Sequence, residues 1–160
     1  MARAFVALGG NLGDTRGYLR QALDALAQLP QSRLLAVSRF YRTPPWGVRE
    51  QPAFLNAAAE LETDLAPHAL LEALLEIERA AGRVREGERW GPRTLDLDLL
   101  HVDGVVMHDA RLTLPHPRIA ERAFVLLPLA ELAPGLELPG QGRVAALLAA
   151  VDTAGCTPEP

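Results

Sequence analysis

Residues 89–100 read Arg-Trp-Gly-Pro-Arg-Thr-Leu-Asp-Leu-Asp-Leu-Leu. The first half is a turn, because Gly91 and Pro92 interrupt helix and strand alike. The second half, extended to residue 102, alternates and then runs apolar, which predicts a strand. On a strand, residues i and i+2 share a face. Asp96 and Asp98 therefore project side by side, roughly 7 Å apart along the strand, with Leu95, Leu97 and Leu99 on the other face. That separation is too wide for a shared proton and suits one hard cation or two adjacent ones. The wet face of an antiparallel strand gives the same alternation. Against it, Asp is disfavoured in strands, and Arg83, Arg85, Arg89 and Arg93 stand just upstream. Metal-binding carboxylates beside guanidinium forks are what a polyphosphate requires.

Working outward, 160 residues suit a single domain that buries its own core. The expectation is one domain over residues 1–160, with 153–160 a frayed tail. Nearly half the residues are hydrophobic and 22% are charged, an ordinary globular composition. The formal charge of −4 gives no general case for nucleic-acid binding. All sixteen cationic side chains are arginine. Cys156 is the one cysteine, so no internal disulfide or cysteine metal cluster forms, which fits a reducing compartment. Met1-Ala2-Arg3 runs straight into a strand-like segment, and no apolar run reaches membrane-spanning length. The expectation is a cytoplasmic monomer that takes small-molecule substrates, with no nucleic-acid or membrane partner.

The remaining elements follow from local pattern. Residues 4–8 form a short buried strand ending at Gly9-Gly10. The Gly-rich loop to Asp14 lacks the lysine and spacing of a phosphate-binding loop, and reads as a strand-to-helix turn capped by Asp14 or Thr15. Leu19, Ala22, Leu23, Leu26 and Leu29 have helical spacing, closed by Pro30. Residues 33–41 form a second strand. A stiff loop with three prolines follows, in which Trp46 is either a lid on the local core or a wall of a ligand pocket. Residues 53–61 alternate strictly: Leu55, Ala57, Ala59 and Leu61 face one way, Phe54 and Asn56 the other. An aromatic ring beside a carboxamide reads a flat heterocycle by stacking and in-plane hydrogen bonds, although such a pair is more often plain surface. Pro67 opens a second helix with a stripe of Leu70, Leu71, Leu74, Leu75 and Ile77. Gly82 closes it, and Glu72, Glu76 and Glu78 lie on the outer face. Asp103-Gly104, between residues 99–102 and 105–107, signals a hairpin. His116, extended before Pro117, lies near Arg111, Arg118 and Arg122, a second basic cluster with a structural or a phosphate-binding role. Residues 124–129 belong to the core, and 142–151 form a last short helix. The order strand, helix, strand, strand, helix, strand predicts an α+β, ferredoxin-like antiparallel sheet with helices packed on it, plus a C-terminal hairpin and short helices.

Four blocks resemble the 6-hydroxymethyl-7,8-dihydropterin pyrophosphokinases of folate biosynthesis. They are residues 7–13; 40–45 (F-Y-R-T-P-P) with 51–57 (Q-P-A-F-L-N-A); 82–100; and 111–124, with L-P-H-P-R and R-A-F. The resemblance implies transfer of pyrophosphate from ATP to the hydroxymethyl group of the reduced pterin, with release of AMP. It implies two Mg²⁺ on Asp96 and Asp98. It places Arg83 and Arg85 on a mobile catalytic loop that ends at Trp90 and Arg93, Arg83, Arg85 and Arg93 being catalytic beside the two aspartates. It makes Glu78, Trp90, Arg93, Arg111, His116 and Arg122 ATP contacts. It makes Thr43, Pro44, Trp46, Phe54, Asn56 and Phe124 the pterin pocket, with Phe54 and Phe124 sandwiching the ring. Position 54 is Phe where some relatives have Tyr, Trp46 is bulkier than the expected aliphatic residue, and Pro117 replaces a larger side chain after His116. Phosphoryl-type transfer needs in-line positioning and charge neutralisation above all, which metals and arginines supply.

Two other classes are weaker. An RNA-binding module of the same fold needs exposed sheet aromatics and a basic face, whereas this chain is acidic and 5% aromatic. A regulatory domain that binds pterin or nucleotide without chemistry has no need of Asp96, Asp98 and Arg93 together.

Overall fold

A computed structural model describes residues 1–44, 52–82 and 94–159. The alternating segments become β1 (Ala2–Gly10), α1 (Thr15–Ala27), β2 (Ser32–Val37), β3 (Tyr41–Thr43), β4 (Phe54–Thr63), α2 (Pro67–Ala80) and β5 (Asp96–Val102). The remainder carries β6 (Met107–His108), β7 (Thr113–Leu114), a 3₁₀ turn (Ile119–Glu121), α3 (Ala123–Leu132), β8 (Glu137–Leu138), β9 (Gly142–Arg143), α4 (Val144–Ala150) and β10 (Thr157–Pro158). Asp14 caps α1 by accepting from the Gly17 amide at 3.2 Å. Pro67 opens α2, and Gly82, at φ +79°, reverses the chain after it.

The main sheet is antiparallel, with β1 between β4 and β5. The predicted second strand is broken into β2 and β3, and both pair with the ten-residue β4. Across the break, Ser38 N donates to Ala58 O, and the Ala58 amide donates to Ser38 Oγ, both at 2.9 Å. Counting β2 and β3 as one strand, the order is that of the ferredoxin-like plan. One face carries α1 and α2: Leu19, Ala22, Leu26, Leu70 and Leu74 pack on Ala4, Val6 and Leu8. The opposite face carries α3 and α4, where Val125, Leu126, Leu129 and Val144 close over Phe5 and Leu100. The second layer is needed because the residues of β1 and β5 on that face are also apolar at this end.

Two expectations change. The turn at Asp103-Gly104 forms, with Gly104 at φ +77° and Val105 N donating to Val102 O at 3.0 Å. The chain beyond it does not return along β5, however; Met107 and His108 pair with Thr113 and Leu114. The Leu100 carbonyl is taken instead by the His116 amide, at 2.8 Å. Residues 157–159 are not frayed: Thr157 and Pro158 pair with Arg42 and Tyr41, which makes β10 the outer strand beside β3, and the Glu159 amide donates to Phe40 O. Among the described residues, no helix is long and apolar enough to cross a membrane.

Candidate active site

In an antiparallel sheet, directly opposed residues point to the same face. Tyr41 opposes Asn56, Asn56 opposes Gly9, and Gly9 opposes Asp96. These four positions form one row across β3, β4, β1 and β5, on the face that carries α3. Thr43 opposes Phe54 one step toward the end of the sheet. Ala7 opposes Asp98 one step inward. The sheet thus brings together Thr43, Phe54, Asn56, Asp96 and Asp98 at one end of one face.

Gly9 leaves the middle of this row open. A Cβ on Gly9 would lie 2.5 Å from Asn56 Oδ1, so any other residue forces the carboxamide aside. Without one, Asn56 on one flank and Asp96 on the other are separated by bare backbone. Asn56 is 7% exposed and donates through Nδ2 to Thr43 Oγ1 at 2.6 Å. That bond fixes its amide orientation and leaves the carbonyl oxygen turned toward Gly9. Phe54 is half-buried at the start of β4, and Phe124 is half-buried in the first turn of α3. Pro44 is exposed immediately after β3.

Arg122, just before α3, faces the carboxylates. Its Nη1 lies 4.0 Å from Asp98 Oδ2, its side chain is 12% exposed, and its guanidinium lies 5.7 Å from the Phe124 ring centroid. Its Nε is buried and has no hydrogen-bond partner among the described residues. Burial pulls its pKa down from the usual arginine range, opposed chiefly by Asp98. His116 accepts at Nδ1 from the Arg118 amide at 3.2 Å. Burial, aided by Arg122, pushes its imidazole down to about 4. His116 is therefore neutral at pH 7 and presents Nε2–H, a hydrogen-bond donor without charge. The basic cluster predicted around it contributes two cations, Arg118 and Arg122, and a neutral imidazole. Arg111 is exposed and ion-paired with Glu72. It borders an open depression of about 530 Å³ along the outer side of β5, lined also by Asp98, Leu99, Thr113, His116 and Pro117.

Glu78 is placed differently from the expectation. It is 1% exposed rather than on the outer face of α2, and its Oε2 accepts from the Leu97 amide at 2.8 Å. The spacing explains this: Leu70, Leu74 and Glu78 are successive fourth residues and share the buried stripe. A buried carboxylate thus caps the backbone between Asp96 and Asp98.

Among the described residues, no three His, Cys, Asp or Glu side chains gather into a metal cage. Asp96 and Asp98, both half-buried on one strand face, are hard oxygen donors that leave other coordination positions to water or phosphate. That set fits Mg²⁺, which keeps several waters and needs few protein ligands. Trp46, Arg83, Arg85, Trp90 and Arg93 lie outside the described residues. Sequence reasoning missed Gly9 and Tyr41. For Gly9 no local signal was available, because its place depends on the pairings with Asn56 and Asp96.

Residues 5–134 match the model of the 7,8-dihydro-6-hydroxymethylpterin-pyrophosphokinase family, HPPK. The chain is 51% identical over 155 residues to the 2-amino-4-hydroxy-6-hydroxymethyldihydropteridine pyrophosphokinase of Methylorubrum extorquens, covering 97% of each. It is 51% identical over 148 residues to the Pseudomonas aeruginosa protein of the same name, covering 92% of this chain and 91% of that one. The described fold also superposes on Plasmodium falciparum HPPK-DHPS wild type with pteroate, at a TM-score of 0.72 and 12% identity. That match covers 92% of this chain and 44% of the longer one, and is a likeness of fold.

Proposed function

The chain belongs to the 7,8-dihydro-6-hydroxymethylpterin-pyrophosphokinase family and carries out its reaction in folate biosynthesis, and we propose the following division of work among its residues. Pyrophosphate passes from ATP to the hydroxymethyl oxygen of 6-hydroxymethyl-7,8-dihydropterin, and AMP leaves.

Thr43, Pro44, Trp46, Phe54, Asn56 and Phe124 hold the pterin. Phe54 and Phe124 supply aromatic faces for the ring. Asn56, its amide fixed by Thr43, reads the ring edge in plane, so orientation precedes binding. Asp96 and Asp98 would hold Mg²⁺, two ions by the family resemblance, and the metal would supply neutralisation of the triphosphate charge. Arg122, whose Nη1 lies 4.0 Å from Asp98 Oδ2, takes up phosphate charge in the same space. His116 donates a neutral hydrogen bond there. Arg111 borders the nucleotide side of the depression. Arg83, Arg85, Trp90 and Arg93 complete the nucleotide and catalytic contacts. Glu78 supports the nucleotide site from beneath, through the Leu97 amide.

The observation that carries this reading is the single row Asn56–Gly9–Asp96, which sets a heterocycle reader beside a metal-binding carboxylate across one bare glycine. The test is product analysis with ATP, Mg²⁺ and 6-hydroxymethyl-7,8-dihydropterin. AMP appearing in step with pterin consumption is expected. ADP would mean transfer of a single phosphoryl group, and no ATP consumption by folded protein would mean a binding module without chemistry.

A further inference from the structure

The pterin side of the site stands on β3, which is three residues long. A strand that short, without a neighbour on its outer side, would hold its backbone poorly. Its inner end is pinned by Tyr41, whose hydroxyl donates to Glu131 Oε1 at 2.7 Å, and by the Arg39 amide, which donates to Glu131 Oε2 at 2.9 Å. Its outer edge is lined by the C-terminal residues. Thr157 and Pro158 pair with Arg42 and Tyr41, and the Glu159 amide donates to Phe40 O at 2.8 Å. The Glu159 carboxylate, 12% exposed, accepts from Arg42 Nη2 at 3.0 and 3.3 Å and lies 3.9 Å from Arg16 Nη2. Gly155, at φ +84°, brings its backbone against Pro44; a Cβ there would sit 3.5 Å from Pro44 Cγ. One short segment thus touches β3 from Phe40 to Pro44. It lies beyond residues 5–134, which the family model matches. It also lies at the opposite edge of the sheet from β5.

We infer that residues 153–159 are a positioning element for the pterin pocket, acting through β3 to hold Thr43 and Pro44 in place. The inference rests on the assignment of Thr43, Pro44 and Asn56 to the pterin. It separates the two substrates: the segment tunes pterin affinity and leaves the nucleotide side, built on β5, unchanged. When a binding-competent arrangement becomes a minor one, the apparent dissociation constant rises by the reciprocal of its population.

The test uses two full-length variants. Thr157→Pro removes a backbone N–H from β10; Glu159→Ala removes the carboxylate but keeps the strand. Calorimetry measures the binding of 6-hydroxymethyl-7,8-dihydropterin in the presence of a non-hydrolysable ATP analogue, and of the analogue alone. Thr157→Pro should weaken pterin binding about tenfold, if β3 is ordered in roughly a tenth of molecules. Glu159→Ala should weaken it about two- to fivefold, as for a partly exposed ion pair. Affinity for the analogue should stay at the parent value. Parent-like pterin affinity in both variants, with Asn56→Ala losing it, overturns the inference and keeps the pterin assignment. Equal loss of both ligands together with a lowered Tm makes the segment merely structural, which also overturns it. Parent-like pterin affinity in Asn56→Ala overturns the pterin assignment and the inference with it.

Discussion

Two rows cross the same three strands on the same face of the sheet. At one end, Glu60, Phe5 and His101 oppose one another across β4, β1 and β5; at the other, Asn56, Gly9 and Asp96 do. Each row has a polar residue on either flank, and they differ in the middle. Phe5 is fully buried and fills its row, covered by α3 and α4. Its flanks are occupied locally: Glu60 pairs with Arg3, and His101 Nε2 lies 3.0 Å from Asp103 Oδ1. Gly9 fills nothing. The same register therefore makes core where the middle strand offers a ring and leaves an open gap where it offers no side chain. Backbone topology decides which residues meet; the size of one side chain decides whether they close on each other or leave space for a ligand.

The comparison breaks most sharply at the carboxylates. Asp96→Ala or Asp98→Ala should reduce turnover by roughly a thousandfold or more, since charge stabilisation dominates this class of transfer. The Tm should stay near the parent value, and calorimetry with Mn²⁺ and a non-hydrolysable ATP analogue should show weakened metal–nucleotide binding. Metal–nucleotide affinity and turnover at parent levels would remove both residues from the metal site. At the other row the effect should be of the opposite kind. Phe5→Ala leaves a cavity under α3 and should lower unfolding free energy by about 3–4 kcal/mol. Pterin and ATP affinities of the folded fraction should stay at the parent values, as read by denaturant titration alongside ligand titration.

Much of this was legible in the sequence. The strict alternation of residues 53–61 put Phe54 and Asn56 on one face, and the spacing of Asp96 and Asp98 put both carboxylates on one face. Both patterns rest on local geometry that a strand imposes wherever it lies. Gly9 was not legible, because a glycine after an apolar run reads as a turn. Its meaning comes from two long-range pairings, with Asn56 and with Asp96, that no local pattern encodes. Glu78 was legible in principle, since it falls four residues after Leu74, but a glutamate invites an outward assignment. The β10 strand was not, because two residues carry no periodicity and only their partner, β3, defines them.

The smallest effect is expected at His116, and it sharpens the contrast by charge. Its folded-state pKa is about 4, against an ordinary 6.5. The fold thus favours neutral imidazole. Its contribution is fully present above about pH 6.5 and is lost as the pH falls through about 4. Between pH 7.5 and 5 the parent protein should lose about 1–2 kcal/mol more unfolding free energy than His116→Gln. Equal losses, measured by urea titration at both values, would mean that the imidazole is not held neutral.

The most direct test of the account is to close the row at Gly9. Gly9→Ala places a methyl group 2.5 Å from Asn56 Oδ1 and must displace the carboxamide. Calorimetry of this variant with 6-hydroxymethyl-7,8-dihydropterin, in the presence of a non-hydrolysable ATP analogue, should show pterin affinity lowered about tenfold or more, as for one misplaced buried hydrogen-bonding group. Affinity for the analogue alone should be unchanged. A folded Gly9→Ala protein that binds pterin as the parent does would contradict the claim that this glycine opens the site.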